Sequence, residues 1–249
     1  MKVLCKNNCK QFLSISTIAL IVFLSCSFVK SAVKLDTDLK YYVLKGEKND
    51  NKQLMIFLHG MDNNPEMWKK FISNIDDHTL VIAVEAPYKM DTAKYRWYDI
   101  DITKKPFVSD NSQMIESTNK VKKLIAELKS KYNIQNNKVI ISGFSQGAIV
   151  SLNYAFTFPS SIQGVGIFSG MLPDNIDNRI IPNEIEDVSF FITHGSMDKG
   201  IDISHAKKTK LFIQGKNEKI KMVETNGGHE ITASQFQEFI TWSENLNRK

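Results

Sequence analysis

Six short apolar runs constrain the fold of this chain more than any other feature. They occupy residues 53–58, 80–85, 138–142, 165–168, 190–193 and 220–224. Strands buried on both faces of a parallel sheet have largely continuous apolar sequences, whereas strands with one exposed face alternate polar and apolar residues. The runs therefore predict the parallel strands of one central sheet, with a further strand at residues 40–44.

Segments with helical periodicity lie between these runs. The clearest is an apolar stripe from Ile115 to Tyr132, with Lys and Glu on the other faces. Other helices are predicted at residues 65–75, 146–158, 204–213 and 234–246. The alternation of strands and helices predicts a single α/β domain whose mostly parallel sheet is flanked by helices on both faces, with no second domain and no large lid. Residues 86–111 lack a clear period and are predicted to form a loop that faces the substrate.

The first 31 residues have the composition of a secretory signal. Lys2, Lys6 and Lys10 precede an uncharged apolar stretch at residues 12–29, and a basic segment followed by an apolar one is typical of a signal peptide. We therefore expect residues 1–31 to be a signal peptide or an N-terminal anchor, and the protein to be exported, either secreted or periplasmic.

Two other interpretations of this segment stay open. Cys26 follows Phe-Leu-Ser and resembles the acylated cysteine of a bacterial lipoprotein. An uncleaved membrane anchor is the second, because an apolar stretch of this length could just span a bilayer. In either case residues 32–249 form the folded domain, and contact with a membrane is expected only through the N-terminal segment.

The positions of the charges and cysteines in the sequence give little information about binding. The whole chain has a formal net charge of +5 and three cysteines. All three cysteines fall within the first 31 residues, and the remainder has 28 basic and 27 acidic side chains, a net charge of +1. A cysteine nucleophile and a cysteine-ligated metal are therefore excluded for the folded domain, and the charge gives no support for a nucleic-acid partner.

Residues 143–147, Gly-Phe-Ser-Gln-Gly, follow one buried run and open a helical segment. This motif between a strand and a helix is the pattern of a nucleophile elbow, a strained turn that holds the serine hydroxyl clear of the sheet. The glycines remove side chains that would collide at so tight a bend, and the helix N-terminus offers donors to a developing oxyanion. Ser145 is the predicted nucleophile. A structural serine in a tight turn is the alternative.

A serine nucleophile requires a base and an orienting carboxylate, which in folds with this elbow follow in the order Ser, acid, His. His229 follows the last apolar run and precedes the final helix, so it is the predicted base. Asp198 comes shortly after the run at 190–193 and is the predicted acid. Asp202 is the fallback, and Glu224, inside the last run, is less favoured.

The oxyanion hole of such a site combines two backbone amides. One is that of Gln146, directly after the nucleophile, and the other is predicted to be that of Met61, in the loop after the first long strand. The Met61 side chain is expected to be a pocket wall. His59 and His194 each precede a glycine at a strand end, where we expect their rings to hydrogen-bond the loop backbone.

Together these residues resemble the carboxylesterase/phospholipase family of α/β-hydrolases, which includes the acyl-protein thioesterases. The resemblance covers residues 53–246 and rests on six segments in the same order. They are Leu58-His59-Gly60 with Trp68, Trp97-Tyr98-Asp99-Ile100, the elbow at 143–147, Phe168-Ser169-Gly170, the acid segment at 194–198 and Gly228-His229-Glu230-Ile231. This chain departs from the family in the oxyanion loop, where Asp62-Asn63 and Pro65 replace more flexible, glycine-containing sequence.

The resemblance implies a serine hydrolase that cleaves carboxylic esters or thioesters through an acyl-enzyme, with a small-molecule or lipid ester as substrate. It implies no cofactor and no metal. Trp68 and Trp97 are candidate walls of the acyl pocket, although Trp68 is equally compatible with the core. A serine peptidase of the same fold and a catalytically silent surface lipoprotein with a collapsed oxyanion loop are the alternatives. Export conflicts with the family's thioesterases, which work in the cytosol.

Overall fold

The computed structural model describes residues 39–46, 53–104, 107–173, 176 and 185–247. The predicted signal segment, with Cys26, lies outside these residues. None of the helices in the described ranges is long and apolar enough to cross a membrane.

Seven of the strands form one sheet that is parallel except at one edge. In chain order, the strands are β1 (Tyr41–Lys45), β2 (Gln53–Leu58), β3 (Thr79–Val84), β4 (Tyr88–Asp91), β5 (Lys94–Arg96), β6 (Ile100–Asp101), β7 (Val108–Ser109), β8 (Val139–Phe144), β9 (Gly164–Phe168), β10 (Ser189–Gly195) and β11 (Ile220–Thr225). The main sheet has the order β1-β3-β2-β8-β9-β10-β11. Strand β1 is antiparallel to β3, and all other neighbours are parallel, which confirms the predicted sheet.

Helices cover both faces of this sheet. They are α1 (Asn111–Tyr132), α2 (Gln146–Thr157), α3 (Ile203–Gln214) and α4 (Ala233–Asn247). The helix predicted at residues 65–75 is a 3-10 helix, Pro65–Asn74, whose first turn is capped by the Asn64 side chain accepting from the Glu66 N–H. Helix α4 begins with a capping box, because the Thr232 hydroxyl accepts from the Gln235 N–H at 3.2 Å and the Gln235 side chain accepts from the Thr232 N–H at 2.7 Å.

The core has two layers, one on each face of the sheet, and neighbouring residues of a strand contribute to different layers. In β2, Leu54, Ile56 and Leu58 pack in the layer under α1, α2 and α3. Met55 and Phe57 pack in the other layer, with the 3-10 helix and α4. Because successive strand residues point to opposite faces, a strand buried on both sides must be apolar at every position. This explains the unbroken runs and confirms the predicted single α/β domain.

Residues 86–111 contain more structure than a loop. Strands β4 and β5 form an antiparallel hairpin, and β6 pairs with β7. These strands have two to four residues each, too few to show a period in the sequence. The prediction of a segment without secondary structure was therefore wrong, and these short strands stiffen the polypeptide that covers the carboxyl edge of the sheet.

The turn from β8 into α2 is packed backbone against backbone. A Cβ added at Gly143 would lie 2.2 Å from the Gly147 carbonyl oxygen, and one added at Gly147 would lie 2.4 Å from the carbonyl oxygens of both Leu58 and His59. Real Cβ atoms do not approach so closely, and the atoms in the way belong to backbone that cannot rotate aside. Glycine is therefore required at both positions because a side chain would clash with backbone, and not because of an unusual φ.

We expect Gly143→Ala to destabilise the protein by about 3 kcal/mol or more, because the added methyl group forces the turn away from α2. Gly215→Ala is the matched control, since its Cβ would meet nothing closer than 3.8 Å and its backbone is right-handed helical. Urea unfolding of both variants checks the expectation. Equal stability of the two variants would contradict the close packing of this turn.

Candidate active site

Ser145 occupies the strained turn between β8 and α2. Its φ of 52° and ψ of −117° are unusual for a residue with a side chain, and such a conformation costs about 1–3 kcal/mol. The turn is held by the Ser145 N–H, which donates to the Phe168 carbonyl at the end of β9 at 2.9 Å. Ser145 therefore lies at the N-terminus of α2, at the carboxyl edge of the sheet.

The structure brings Ser145, His229 and Asp198 into one hydrogen-bonded chain. The His229 Nε2 atom is 2.9 Å from the Ser145 Oγ, and the His229 Nδ1 atom is 2.7 Å from the Asp198 Oδ2. The three residues follow β8, β10 and β11, whose carboxyl ends meet at the same edge of the sheet. The 31 and 84 residues that separate His229 from its two partners in sequence are bridged by this topology.

Asp198 is fixed by its own loop. One carboxylate oxygen, Oδ1, accepts from the Gly200 N–H at 2.8 Å and from the Ile201 N–H at 2.9 Å. The other oxygen contacts His229 and lies 3.2 Å from the His194 Nε2 atom. The side chain has no solvent exposure, whereas that of His229 is 31% exposed. The carboxylate is thus held in one orientation, with its second oxygen aimed at His229.

The alternative acids have other contacts. Asp202 caps α3, with its carboxylate accepting from the Ser204 N–H at 2.9 Å, and hydrogen bonds to Ser204 lower the pKa of Asp202. Glu224 forms a surface ion pair with Lys207 at 3.5 Å. Neither carboxylate is hydrogen-bonded to His229.

His59 and His194 bond to loop backbone, as their positions before glycine indicate. The His59 Nδ1 atom is 2.7 Å from the Gly60 carbonyl oxygen, and its Nε2 atom accepts from the Ala86 N–H at 3.1 Å. These partners require the neutral ring with the proton on Nδ1. Burial lowers the pKa of His59 to about 4, which agrees with that neutral state. The His194 Nε2 atom is 2.7 Å from the Ile201 carbonyl oxygen.

The Gln146 side chain has a structural role that its position in the sequence does not indicate. Its Oε1 accepts from the Trp97 N–H and its Nε2 donates to the Tyr98 carbonyl, both at 2.8 Å. The Trp97 indole N–H in turn donates to the His59 carbonyl at 2.8 Å, and the Ser117 hydroxyl donates to the Trp97 carbonyl. These buried bonds tie α2 to the segment after β5 and that segment to the end of β2. Because Trp97 and Tyr98 lie 49 and 48 positions before Gln146, the sequence gives no sign of such a clamp.

The loop that contains Met61 is anchored by the β4–β5 hairpin. The Asp62 N–H donates to the Tyr95 carbonyl at 3.1 Å, and the Tyr95 N–H donates to the Asn63 carbonyl at 3.0 Å. Asp62 adopts a φ of 61° and pairs with Lys94 at 3.0 Å. The Asp-Asn sequence that departs from the family pattern is thus held by an isolated β-bridge between Asn63 and Tyr95. Met61 lines the same cavity as Ser145 and Gln146.

An apolar cavity of about 350 Å³ opens beside Ser145. Besides Met61, Ser145, Gln146 and His229, its walls are Tyr98, Ile100, Ile102, Phe107, Ile149, Met171, Lys199, Gly200 and Ile201. The two tryptophans predicted as pocket walls are placed elsewhere. Trp68 is fully buried in the core with Phe57 and Phe236, and Trp97 is fully buried in the clamp described above. Nothing among the described residues groups three His, Cys, Asp or Glu side chains for a metal ion.

Comparisons with known proteins show the family to which this chain belongs. A family model described as Phospholipase/Carboxylesterase matches residues 40–246. Acyl-protein thioesterase 1 of Candida albicans is 27% identical over 216 residues, which cover 80% of this chain and 94% of that protein. The Bacillus cereus carboxylesterase superposes with a TM-score of 0.72 at 19% identity, covering 84% of this chain and 94% of its own. Arabidopsis thaliana SOBER1 gives a TM-score of 0.69 at 16% identity, covering 79% and 99%. The two structures show the fold alone.

The expectation of an exported protein was wrong. The matched relatives include Acyl-protein thioesterase 1 of three yeasts, and these homologues are cytosolic enzymes. The expectation rested on composition alone, that is, on lysines followed by an apolar stretch, and that stretch lies outside the described residues.

His59 makes folding sensitive to acid in a defined pH range. Its pKa falls from 6.5 to about 4 on burial, so between these values the unfolded chain binds a proton that the folded protein does not. Stability is therefore retained above pH 6.5 and decreases as the pH falls towards 4. Across the whole interval the loss is about 3 kcal/mol.

The His59→Gln variant keeps a donor and an acceptor in this place but cannot titrate. Urea unfolding at pH 7 and pH 4.5 should show the wild type losing about 2–3 kcal/mol more than this variant, because the other groups titrate alike in both proteins. Equal losses in the two proteins would mean that His59 is already protonated in the folded state at pH 4.5.

Proposed function

Because the chain belongs to the phospholipase/carboxylesterase family and is a hydrolase of carboxylic esters or thioesters, we propose that Ser145 is its nucleophile, His229 its general base and Asp198 the orienting acid. The observation that carries this proposal is the continuous hydrogen-bond chain from Ser145 Oγ through both ring nitrogens of His229 to Asp198. A serine that reaches a histidine in this way, at a strained turn, is arranged for nucleophilic attack.

The direction of proton transfer follows from the partners of the histidine ring. Asp198 accepts from the His229 Nδ1–H, which leaves the Nε2 lone pair facing the Ser145 hydroxyl. As the Ser145 oxygen bonds to the substrate carbonyl carbon, its proton passes to Nε2, and the buried carboxylate stabilises the imidazolium. The imidazolium then protonates the leaving oxygen or sulfur. Water deprotonated by His229 attacks the acyl-enzyme, which releases the carboxylic acid and restores the serine.

The negative charge on the tetrahedral intermediate is proposed to be stabilised by the backbone N–H groups of Met61 and Gln146. Both residues line the cavity that contains Ser145, and Gln146 is the first residue of α2, where the helix dipole favours an anion. Removing one such donor in a comparable enzyme costs about 3–4 kcal/mol of transition-state stabilisation.

The acyl group is proposed to occupy the apolar cavity beside Ser145. Its volume of about 350 Å³ is near the lower end of the range for small-molecule sites, roughly 300–1,000 Å³. The isoleucines, Phe107 and Met171 offer hydrocarbon contact without hydrogen-bond partners, so a medium-length fatty acyl chain fits this cavity better than a polar acyl group. The substrate is accordingly a small-molecule or lipid ester, or a thioester, with an apolar acyl part.

Replacement of Ser145 tests the nucleophile directly. We expect Ser145→Ala to lower kcat for p-nitrophenyl octanoate on the order of 10⁵–10⁶-fold and to abolish labelling by a fluorophosphonate probe. Ser142→Ala is the matched control, because Ser142 is a buried serine of β8 that is not among the residues lining the cavity. Substantial turnover by the Ser145 variant, or labelling at another residue, would refute the assignment. Efficient hydrolysis of octanoyl amides in addition to the esters would indicate a peptidase instead.

The Gln146 side chain tests the positioning of the oxyanion donors. In Gln146→Met the backbone donor remains, but the bonds to Trp97 and Tyr98 are lost, and we expect kcat to fall between about 10- and 100-fold. The same change should cost about 3 kcal/mol of stability, since two buried backbone groups lose their partners. Asn153→Leu is the control, because it removes a buried amide that donates to Thr118 from the same helix. Equal kcat in the two variants would exclude a positioning role for Gln146.

A further inference from the structure

A second cavity is also lined by His229. It has a volume of about 430 Å³ and shares His229, but not Ser145, with the apolar cavity. The ring of Phe144 lies against His229 with the centroids 4.9 Å apart and forms part of the second cavity's wall. His229 therefore borders two chemically different spaces, and Phe144 packs on it from the side of the second cavity.

The walls of this second cavity are charged, in contrast to those of the first. Four ionisable side chains other than His229 line it, namely Glu66, Lys69, Lys70 and Glu230. Lys69 and Glu66 neutralise each other in an ion pair at 2.6 Å. Within the described part of the chain, neither Lys70 nor Glu230 forms an ion pair. The Lys70 ammonium instead lies 4.8 Å from the centroid of the Phe71 ring. One cation and one anion of the cavity are thus left without a partner of opposite charge.

We propose that this cavity binds the leaving group of the substrate, and that the leaving group is zwitterionic, with its anionic part recognised by Lys70 and its cationic part by Glu230. This inference rests on the proposed catalytic function of Ser145 and His229. An ester has two halves, and the half that departs must lie on the side of the histidine that protonates it. With the acyl chain in the apolar cavity, the leaving group faces the second cavity, whose lining has only His229 in common with that of the first.

Four octanoyl esters that share the acyl group but differ in the charge of the alcohol test this assignment. They are 2-hydroxyethyl octanoate, which is neutral, octanoylglycolate, which is anionic, octanoylcholine, which is cationic, and octanoylcarnitine, which is zwitterionic. For each ester, kcat/KM of a variant is divided by that of the wild type. The intrinsic reactivity of the ester cancels in this ratio.

We expect Lys70→Met to lower kcat/KM about two- to fivefold for the glycolate and carnitine esters, and Glu230→Gln to do so for the choline and carnitine esters, as partly exposed charge pairs do. Neither variant should change the neutral ester. Lys122→Met is the control for Lys70, since Lys122 lies over the Phe158 ring at 4.2 Å and lines neither cavity. Glu218→Gln is the control for Glu230, because Glu218 is exposed and also lies outside both cavities.

Failure of this inference can be told apart from failure of the proposed function. If the neutral ester is hydrolysed and Ser145→Ala abolishes that activity, the proposed function stands. The leaving-group site is refuted if Lys70→Met gives the Lys122 control's ratios for the glycolate and carnitine esters and Glu230→Gln gives the Glu218 control's ratios for the choline and carnitine esters. Reversed charge preferences would also refute it. Deacylation provides an internal check, because all four esters give the same acyl-enzyme, and the Lys70 and Glu230 variants should leave its hydrolysis rate unchanged.

Discussion

The site depends on a contact between two backbones, where the turn from β8 into α2 meets the end of β2. No side chain fits at Gly147, since its Cβ would lie 2.4 Å from the carbonyl oxygens of Leu58 and His59. This contact brings the N-terminus of α2 against the loop that leaves β2, so the two proposed oxyanion donors come from elements in direct van der Waals contact. Their relative position is therefore set by backbone packing, which has fewer alternative states than packing between flexible side chains.

Buried polar bonds extend this constraint outwards from the turn. Gln146 holds the backbone of Trp97 and Tyr98, and the Trp97 indole returns to the His59 carbonyl. Together with the packing contact at Gly147, these bonds close a circuit through α2, the segment after β5 and the end of β2. In a buried circuit, each bond that is lost leaves a polar group unsatisfied, which costs more than a bond between exposed groups. One wall of the apolar cavity, formed by Tyr98, Ile100, Ile102 and Phe107, follows in the segment that this circuit holds.

The architecture could be predicted from the sequence because it depends on patterns among neighbouring residues. Unbroken apolar runs predicted strands buried on both faces, and the strand–helix context of residues 143–147 predicted the turn. The chain order of serine, acid and histidine pointed to the three residues that the structure brings together. Sequence reasoning failed where the outcome depends on distant partners. The Gln146 clamp joins residues 48 and 49 positions apart, Trp68 lies in the core because Phe236 is there to pack on it, and the hairpin that anchors Asp62 is too short to have a period.

The proposed catalytic acid and base differ in their exposure to solvent. The Asp198 side chain is fully buried, and the histidine it contacts is 31% exposed. A carboxylate shielded from water interacts more strongly with a neighbouring imidazolium than an exposed one does, so the charge formed during acylation is stabilised at the buried end. The proton, in contrast, must be delivered at Nε2, at the more open end of the histidine, where the apolar and charged cavities meet. Burial of the acid and exposure of the base thus separate charge stabilisation from proton delivery, and a leaving group can depart without disturbing the acyl chain.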